Sequence, residues 1–363
     1  MKKSVKTILT SATAFILIIS SLLLSGCATT GKPDANGSEK ESENGGSEAV
    51  TTTKKPDIVF PETIDFDDEQ TILTIFDMSD ILDGVTAKVN KKSKSITMKA
   101  SVNGTNFTFT VGLTKWAGYT SPEQIVTCSK LFWYCYPQMF ARLANDGSPT
   151  SVFLNFENEG YEVASAGGNA VHIHDQWLHD HPSDFDCLTH EFAHVIQGGW
   201  NGNFSPAYEG DTYMIERFAD YCRYIYAFDK GRYNDFGWDL QTASTENTYY
   251  KSVRLWVWID YTYSTDKIDI MKRINKYVQA GDRSAISKNW GTDGPMWDKV
   301  FKGTEAEGKT ITELWDLYTA SSFSKLSTKP RKVGDRSALE REFDVRKTIK
   351  GRAGDVASYV NLK

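Results

Sequence analysis

Residues 190–197 read His-Glu-Phe-Ala-His-Val-Ile-Gln, and all six histidines of the chain fall between positions 172 and 194. On an α-helix four residues turn the chain by about 400°, so His190 and His194 stand one above the other on one face, with Glu191 beside them. Two imidazoles in that relation can hold one metal ion, and a carboxylate next to them is the natural base for a metal-activated water. The flanking residues predict the helix itself. Ser183 with Asp186 three residues on reads as a capping-box start after Pro182, Leu188, Phe192 and Val195 are apolar at helical spacing, and Gly198-Gly199 supplies a stop.

A catalytic zinc takes a third protein ligand and keeps one position open. The run Ile215-Glu216-Arg217-Phe218-Ala219-Asp220-Tyr221 offers such a ligand on a second helix. Glu216 and Asp220 share a helical face, so Glu216 can reach the metal while Asp220, one turn on, accepts the outward N–H of a ligand histidine and fixes its tautomer. This is the pattern of the glutamate-zincins. Glu209 and Asp211 lie nearer in sequence and compete for the third position.

The stretch from Leu188 through Trp200-Asn201-Gly202-Asn203 to Asp220-Tyr221 resembles the plant basic secretory protein family and its bacterial relatives, whose active segment runs H-E-x-x-H-V-x-Q, W-N-G-N and I-E-x-x-A-D-Y. Further pieces follow in the family's order. Ser151 to Phe156 is similar to the strand before the active helix, and Val163-Ala164-Ser165 through Val171-His172-Ile173-His174 to the next two segments. Tyr249, Arg254 and Leu255 match the spacing of a later helix, and Gly308-Lys309-Thr310 to Leu314-Trp315-Asp316-Leu317-Tyr318 resembles the closing motif. The resemblance spans residues 115 to 325. Two departures alter the rim of the cleft: the segment between His194 and Glu216 is several residues longer than in the plant proteins, and Arg217 and Phe218 stand where the family has small residues.

What the resemblance implies is an α+β fold, a zincin-like metallopeptidase domain with a small mixed sheet, an edge strand, an active-site helix and a helical C-terminal half. It implies one catalytic zinc ion (Zn2+) held by His190, His194 and Glu216, with polypeptide as substrate. Zinc would acidify a bound water, Glu191 would take the proton as general base and return it to the leaving amine, and Asp220 would support the ligand shell. Tyr249, by resemblance and position, is the candidate donor to the oxyanion. In Val171-His172-Ile173-His174 the two histidines fall on one face of a strand expected at the sheet edge, where His172 and His174 would contact a substrate strand. His179 and His181 could form a second metal site with Asp175 or Asp180, or be loop residues near the entrance.

The chain begins with Lys2, Lys3 and Lys6, an apolar run, and then Leu24-Ser25-Gly26-Cys27, which resembles a bacterial lipoprotein box. Residues 1–26 are therefore expected to be a signal peptide, with Cys27 lipidated and the protein held on the cell envelope outside the cytoplasm. Residues 27–55 are rich in Gly, Ser, Asn, Glu and Lys and have little to bury, so they read as a tether with a reach of roughly 30 Å. Loss of the three lysines would take the formal charge from −6 to −9. That acidity argues against a nucleic-acid partner; oligomeric state is not legible.

Alternating stretches at Ser95 to Ala100 and Phe107 to Val111, with Asn103-Gly104 between them, predict a small β-rich unit over 56–114. Ser121 to Ala144 reads as a helix. The peptidase domain is expected over 115–327 and a charged extension over 328–363. Trp256, Trp258, Trp297 and Trp315 at helical spacing read as core, with an aromatic sugar platform as the other reading. Cys128 and Cys135, two turns apart on one helix, are too distant to bridge each other, whereas a Cys187–Cys222 bridge is open. The function read from these features is a surface-tethered zinc endopeptidase. The alternative is a non-catalytic surface lipoprotein that binds glycans or host proteins on a zincin scaffold.

Overall fold

The computed structural model describes residues 58–158, 163–182, 184–198, 209–226, 253–265, 267–279 and 295–321. The chain divides at Pro56 into two units, and the described residues all belong to the second. They form a mixed α+β structure around a six-stranded sheet. The strands are β1 (Thr86–Asn90), β2 (Ser95–Val102), β3 (Thr105–Lys115), β4 (Ser151–Glu157), β5 (Ala164–Gly167) and β6 (Ala170–His174), in the order β1-β2-β3-β4-β6-β5. The β1–β2 and β2–β3 pairs are antiparallel, β3, β4 and β6 run parallel, and β5 closes the sheet antiparallel to β6.

The turn between β2 and β3 follows from Asn103-Gly104. Both residues adopt positive φ, 49° and 79°, the backbone that a two-residue hairpin of right-handed twist requires. Beyond it, β3 pairs with β4, so the strands expected as a separate β unit share one sheet with the rest. A boundary after residue 114 would cut through β3. The pairing is parallel and needs the long crossover through α2 (Pro122–Leu143), which is why no local pattern announces it.

Along β3 the side chains of Phe107, Phe109, Val111 and Leu113 are buried, and those of β4 and β6 continue the same face with Val152, Leu154, Phe156, Val171 and Ile173. Helix α2 covers that face. It starts from a capping box, Ser121 with Gln124, with Pro122 in the first turn where its missing N–H costs nothing. Phe132 of α2 stacks on Phe109 at 4.0 Å, and Phe192 of α4 (Cys187–Ile196) meets both edge-on at 6.1 and 5.4 Å. The helix carrying the histidines is thus seated on the sheet by its own apolar stripe.

A loop after β3 is pinned by Asp175, the first residue of α3 (Asp175–Asp180). Its carboxylate accepts the backbone N–H groups of Ala117, Tyr119 and Thr120 at 2.9, 3.1 and 3.0 Å. The remaining helices are α1 (Glu69–Ile75), α5 (Glu209–Tyr226), α6 (Val253–Tyr263), α7 (Ile270–Gln279), α8 (Pro295–Phe301) and α9 (Ile311–Ala320). A buried polar knot ties α2, α5 and α6 to the start of α7. Arg142 donates to Asp260 at 2.8 Å, to Asp269 at 2.7 Å and to the Tyr221 hydroxyl at 2.6 Å, and that hydroxyl donates to Asp260 at 2.6 Å. Burial works against the Arg142 charge, but Asp260 and Asp269 more than offset it and hold its pKa above the ordinary value.

Trp256, Trp258, Trp297 and Trp315 all lie in the core, Trp256 and Trp297 stacked at 5.5 Å. They present no sugar platform. Cys128, Cys135, Cys187 and Cys222 are buried and none is in a disulfide, so the Cys187–Cys222 bridge is not formed. Residues 1–55 and 328–363, including Cys27, lie outside the described residues.

Candidate metal centre

Helices α4 and α5 run side by side in opposite directions and meet through polar side chains at helical spacing. Asp186, His190 and His194 stand on one face of the α4 segment, and Arg223, Asp220 and Glu216 on the facing side of α5. Arg223 Nε donates to Asp186 Oδ2 at 2.7 Å, His190 Nδ1 lies 2.9 Å from Asp220 Oδ1, and His190 Nε2 lies 3.1 Å from Glu216 Oε2. His194 closes the set, with Nε2 at 3.0 Å from His190 Nε2 and 3.6 Å from Glu216 Oε2. Its Nδ1 faces the amide oxygen of Gln197 at 2.8 Å.

These distances test whether a metal ion fits. Among the described residues, His190, His194 and Glu216 form the one group of three or more His, Cys, Asp or Glu side chains close enough to share an ion. Ligand atoms bonded to tetrahedral zinc at about 2.0–2.2 Å lie roughly 3.3 Å apart, and the three observed separations, 3.0, 3.1 and 3.6 Å, bracket that value. Asp220 and Gln197 face the two Nδ1 atoms with acceptor oxygens, so an Nδ1–H on each imidazole would leave both Nε2 atoms available to a cation. Three potential ligand atoms, one from each residue, then face one point.

Burial disfavours charge on both imidazoles, yet the carboxylates win. Hydrogen bonds to Asp220 and Glu216 push His190 up to about 10, and Glu216 raises His194 as well. The converse holds for the carboxylates, where the imidazoles overcome burial and lower Glu216 and Asp220. Glu191 behaves differently, because burial dominates there and raises its carboxyl against the pull of His190 and His194.

Asp220 is shared. Its second oxygen accepts from Arg217 Nη1. The helix start also differs from expectation. Asp186 stands at the N-cap, but its backbone is already helical and its side chain makes no capping bond, one oxygen accepting from Arg223 instead; Ser183 lies outside the described residues. Gly198, at φ 92°, follows the last residue of the helix end as the stop signal predicted.

His172 and His174 are corrected on two counts. β6 is flanked by β4 and β5, so it is an interior strand and β5 is the edge. Val171 and Ile173 point into the core that α4 covers, and the pleat therefore turns His172 and His174 to the opposite face of the sheet, away from His190. There His172 Nδ1 bonds Glu157, which Lys115 also reaches at 3.3 Å, while His174 caps α3 by accepting from Gln176 N. His179 pairs with its neighbour Asp180 and His181 stacks on Trp177 at 3.8 Å, and among the described residues neither belongs to a metal-ligand cluster. Tyr249 lies outside the described residues. Glu209 and Asp211 open α5, and their side chains lie outside them too.

Reading by residue pattern missed Gln197 as a partner of His194, although a polar residue three positions after a helical histidine was the available signal. It also missed Arg223, for which no local signal exists. Comparison with protein-family models, with curated proteins and with solved structures gave no match for this chain.

Proposed function

We propose that this chain is a zinc-dependent endopeptidase of zincin type, tethered to the bacterial cell envelope through a lipid on Cys27. The observation that carries the reading is the convergence of His190 Nε2, His194 Nε2 and Glu216 Oε2, each within 3.6 Å of the others, beside the carboxylate of Glu191. Zinc, when bound, supplies a Lewis acid that polarises the scissile carbonyl and brings the acidity of a bound water into the neutral range. Asp220 and Gln197 orient the two imidazoles. Glu191 accepts the water proton and hands it to the leaving amine, and Tyr249 is the proposed donor to the oxyanion. A pure binding protein has no need of a base at position 191, and the burial of Trp256, Trp258, Trp297 and Trp315 takes away one of the two features, the other being the N-terminal strands, that favoured a binding scaffold.

The mixed sheet with an antiparallel edge strand beside the histidine helix is the layout expected of a zincin, and α4 packs against both β5 and β6. We place the extended substrate along β5 rather than β6. The His174 N–H donates to the Val163 carbonyl at 2.9 Å, so Ser165 and Gly167 also turn their backbone groups toward β6, while Ala164 and Ala166 turn theirs to the outer edge of the described sheet. Ala166→Pro deletes one outward N–H and leaves the ladder intact. It should lower kcat/KM on long peptides about 2–10-fold, the worth of one net hydrogen bond, as measured by progress curves on an extended peptide.

Asp220→Asn should weaken zinc binding about 10–100-fold, because it loses the charged acceptor for the His190 proton; competition with a fluorescent chelator reads it. The direct test of function is cleavage of casein and a peptide library by the purified protein. Activity abolished by a chelator and restored by one equivalent of zinc is expected. Zinc uptake without any cleavage across a broad library would turn the reading toward a binding protein.

A further inference from the structure

We infer that Arg223 is a positioning residue of the metal centre, setting the spacing between the helix that carries the histidines and the helix that carries Glu216. The inference rests on the metal-site reading above. Arg223 lies seven residues after Glu216 and three after Asp220, on the side of α5 that faces α4. Its guanidinium takes two carboxylates at once, Asp186 Oδ2 through Nε at 2.7 Å and Asp184 Oδ1 through Nη2 at 2.8 Å, with all three side chains buried. Asp184 is held in turn by Trp177 Nε1 of α3 at 3.1 Å. The planar fork therefore fixes the entry and first turn of α4 from α5, and Asp220 and Glu216 follow along the same face toward His190 and His194.

Two observations say that placement, rather than stability, is what this contact serves. Asp186 has helical backbone and makes no capping bond, and while one carboxylate oxygen accepts from Arg223 Nε the other is buried without a hydrogen-bond partner among the described residues, so the pair is not arranged for stability. Buried ion pairs of this kind are also poor sources of net stability, since desolvation cancels much of their attraction, and their retention is better accounted for by the geometry they impose. A lysine at 223 would keep the charge but lose the fork, so it could not hold both aspartates in one plane.

The test uses the full chain and measures zinc affinity by chelator competition, the visible spectrum of the cobalt(II)-substituted protein, and thermal stability. Arg223→Lys is expected to weaken zinc about 10-fold and to shift the cobalt bands. The neutral set Arg223→Met with Asp184→Asn and Asp186→Asn, which leaves no buried charge uncompensated, is expected to weaken zinc about 10–100-fold while the protein stays folded. A buried change in α8, Val300→Ala, serves as the comparison: it lowers the melting temperature and leaves zinc affinity and the cobalt spectrum unchanged. Unchanged affinity and spectrum in both Arg223 variants would overturn the inference, as would failure of both to fold, which would make Arg223 a structural residue only. A parent protein that takes up no zinc would end the metal reading itself, whereas tight zinc in the parent and all variants alike would end only this inference.

Discussion

Glu191→Gln should lower peptide cleavage by about 10²–10⁴-fold while the protein still takes up one equivalent of zinc. The glutamine keeps the shape of the side chain and its place on α4, between His190 and His194, but it cannot accept a proton from water. Glu191 is buried and belongs to no ligand set among the described residues, so metal content is the internal control. Single-turnover cleavage of a quenched fluorescent peptide, with zinc measured in the same sample, separates the two effects. Equal activity in parent and variant would remove Glu191 from the mechanism.

Arg142→Met should destabilise the domain by about 3–5 kcal/mol, read as a lower urea midpoint with the slope unchanged. Arg142 and Asp260 are both buried, and the methionine would leave the Asp260 carboxylate in the core without its cation, at a point where Tyr221 and Ser264 supply hydrogen bonds but no charge. Coulombic attraction to two carboxylates is what holds Arg142 protonated there despite burial. A joint change of Arg142→Met and Asp260→Leu should recover much of the loss, because it removes both charges together. Failure of the double variant to recover would mean that Asp269 and Tyr221 depend on Arg142 as strongly as Asp260 does.

The candidate site was legible to the extent that one helix period governs it. His190 and His194 on one face, and Glu216 with Asp220 on another, follow from 3.6 residues per turn, and the structure brings these four side chains together. Asp186 shows where such reading stops. Three residues beyond a serine and before an apolar run, it looks like part of a cap, but its backbone is already helical and its side chain meets a partner 37 residues away. The sheet gives the same lesson at larger scale. The alternation that put His172 and His174 on one face of β6 held, yet which face, and whether β6 was an edge, depended on β4 and β5 pairing on either side of it. The hairpin at Asn103-Gly104 was readable from two residues, whereas the parallel β3–β4 pair that joins it to the rest spans the whole of α2.

Metal analysis of the purified protein bears most directly on the account, with His194→Ala alongside. One equivalent of zinc in the parent and less than a tenth of that in the variant is the predicted result, since His194 supplies one of three donor atoms that converge within 3.6 Å. A parent protein without zinc after equilibration at micromolar free metal, or a variant that binds zinc as well as the parent, would contradict it.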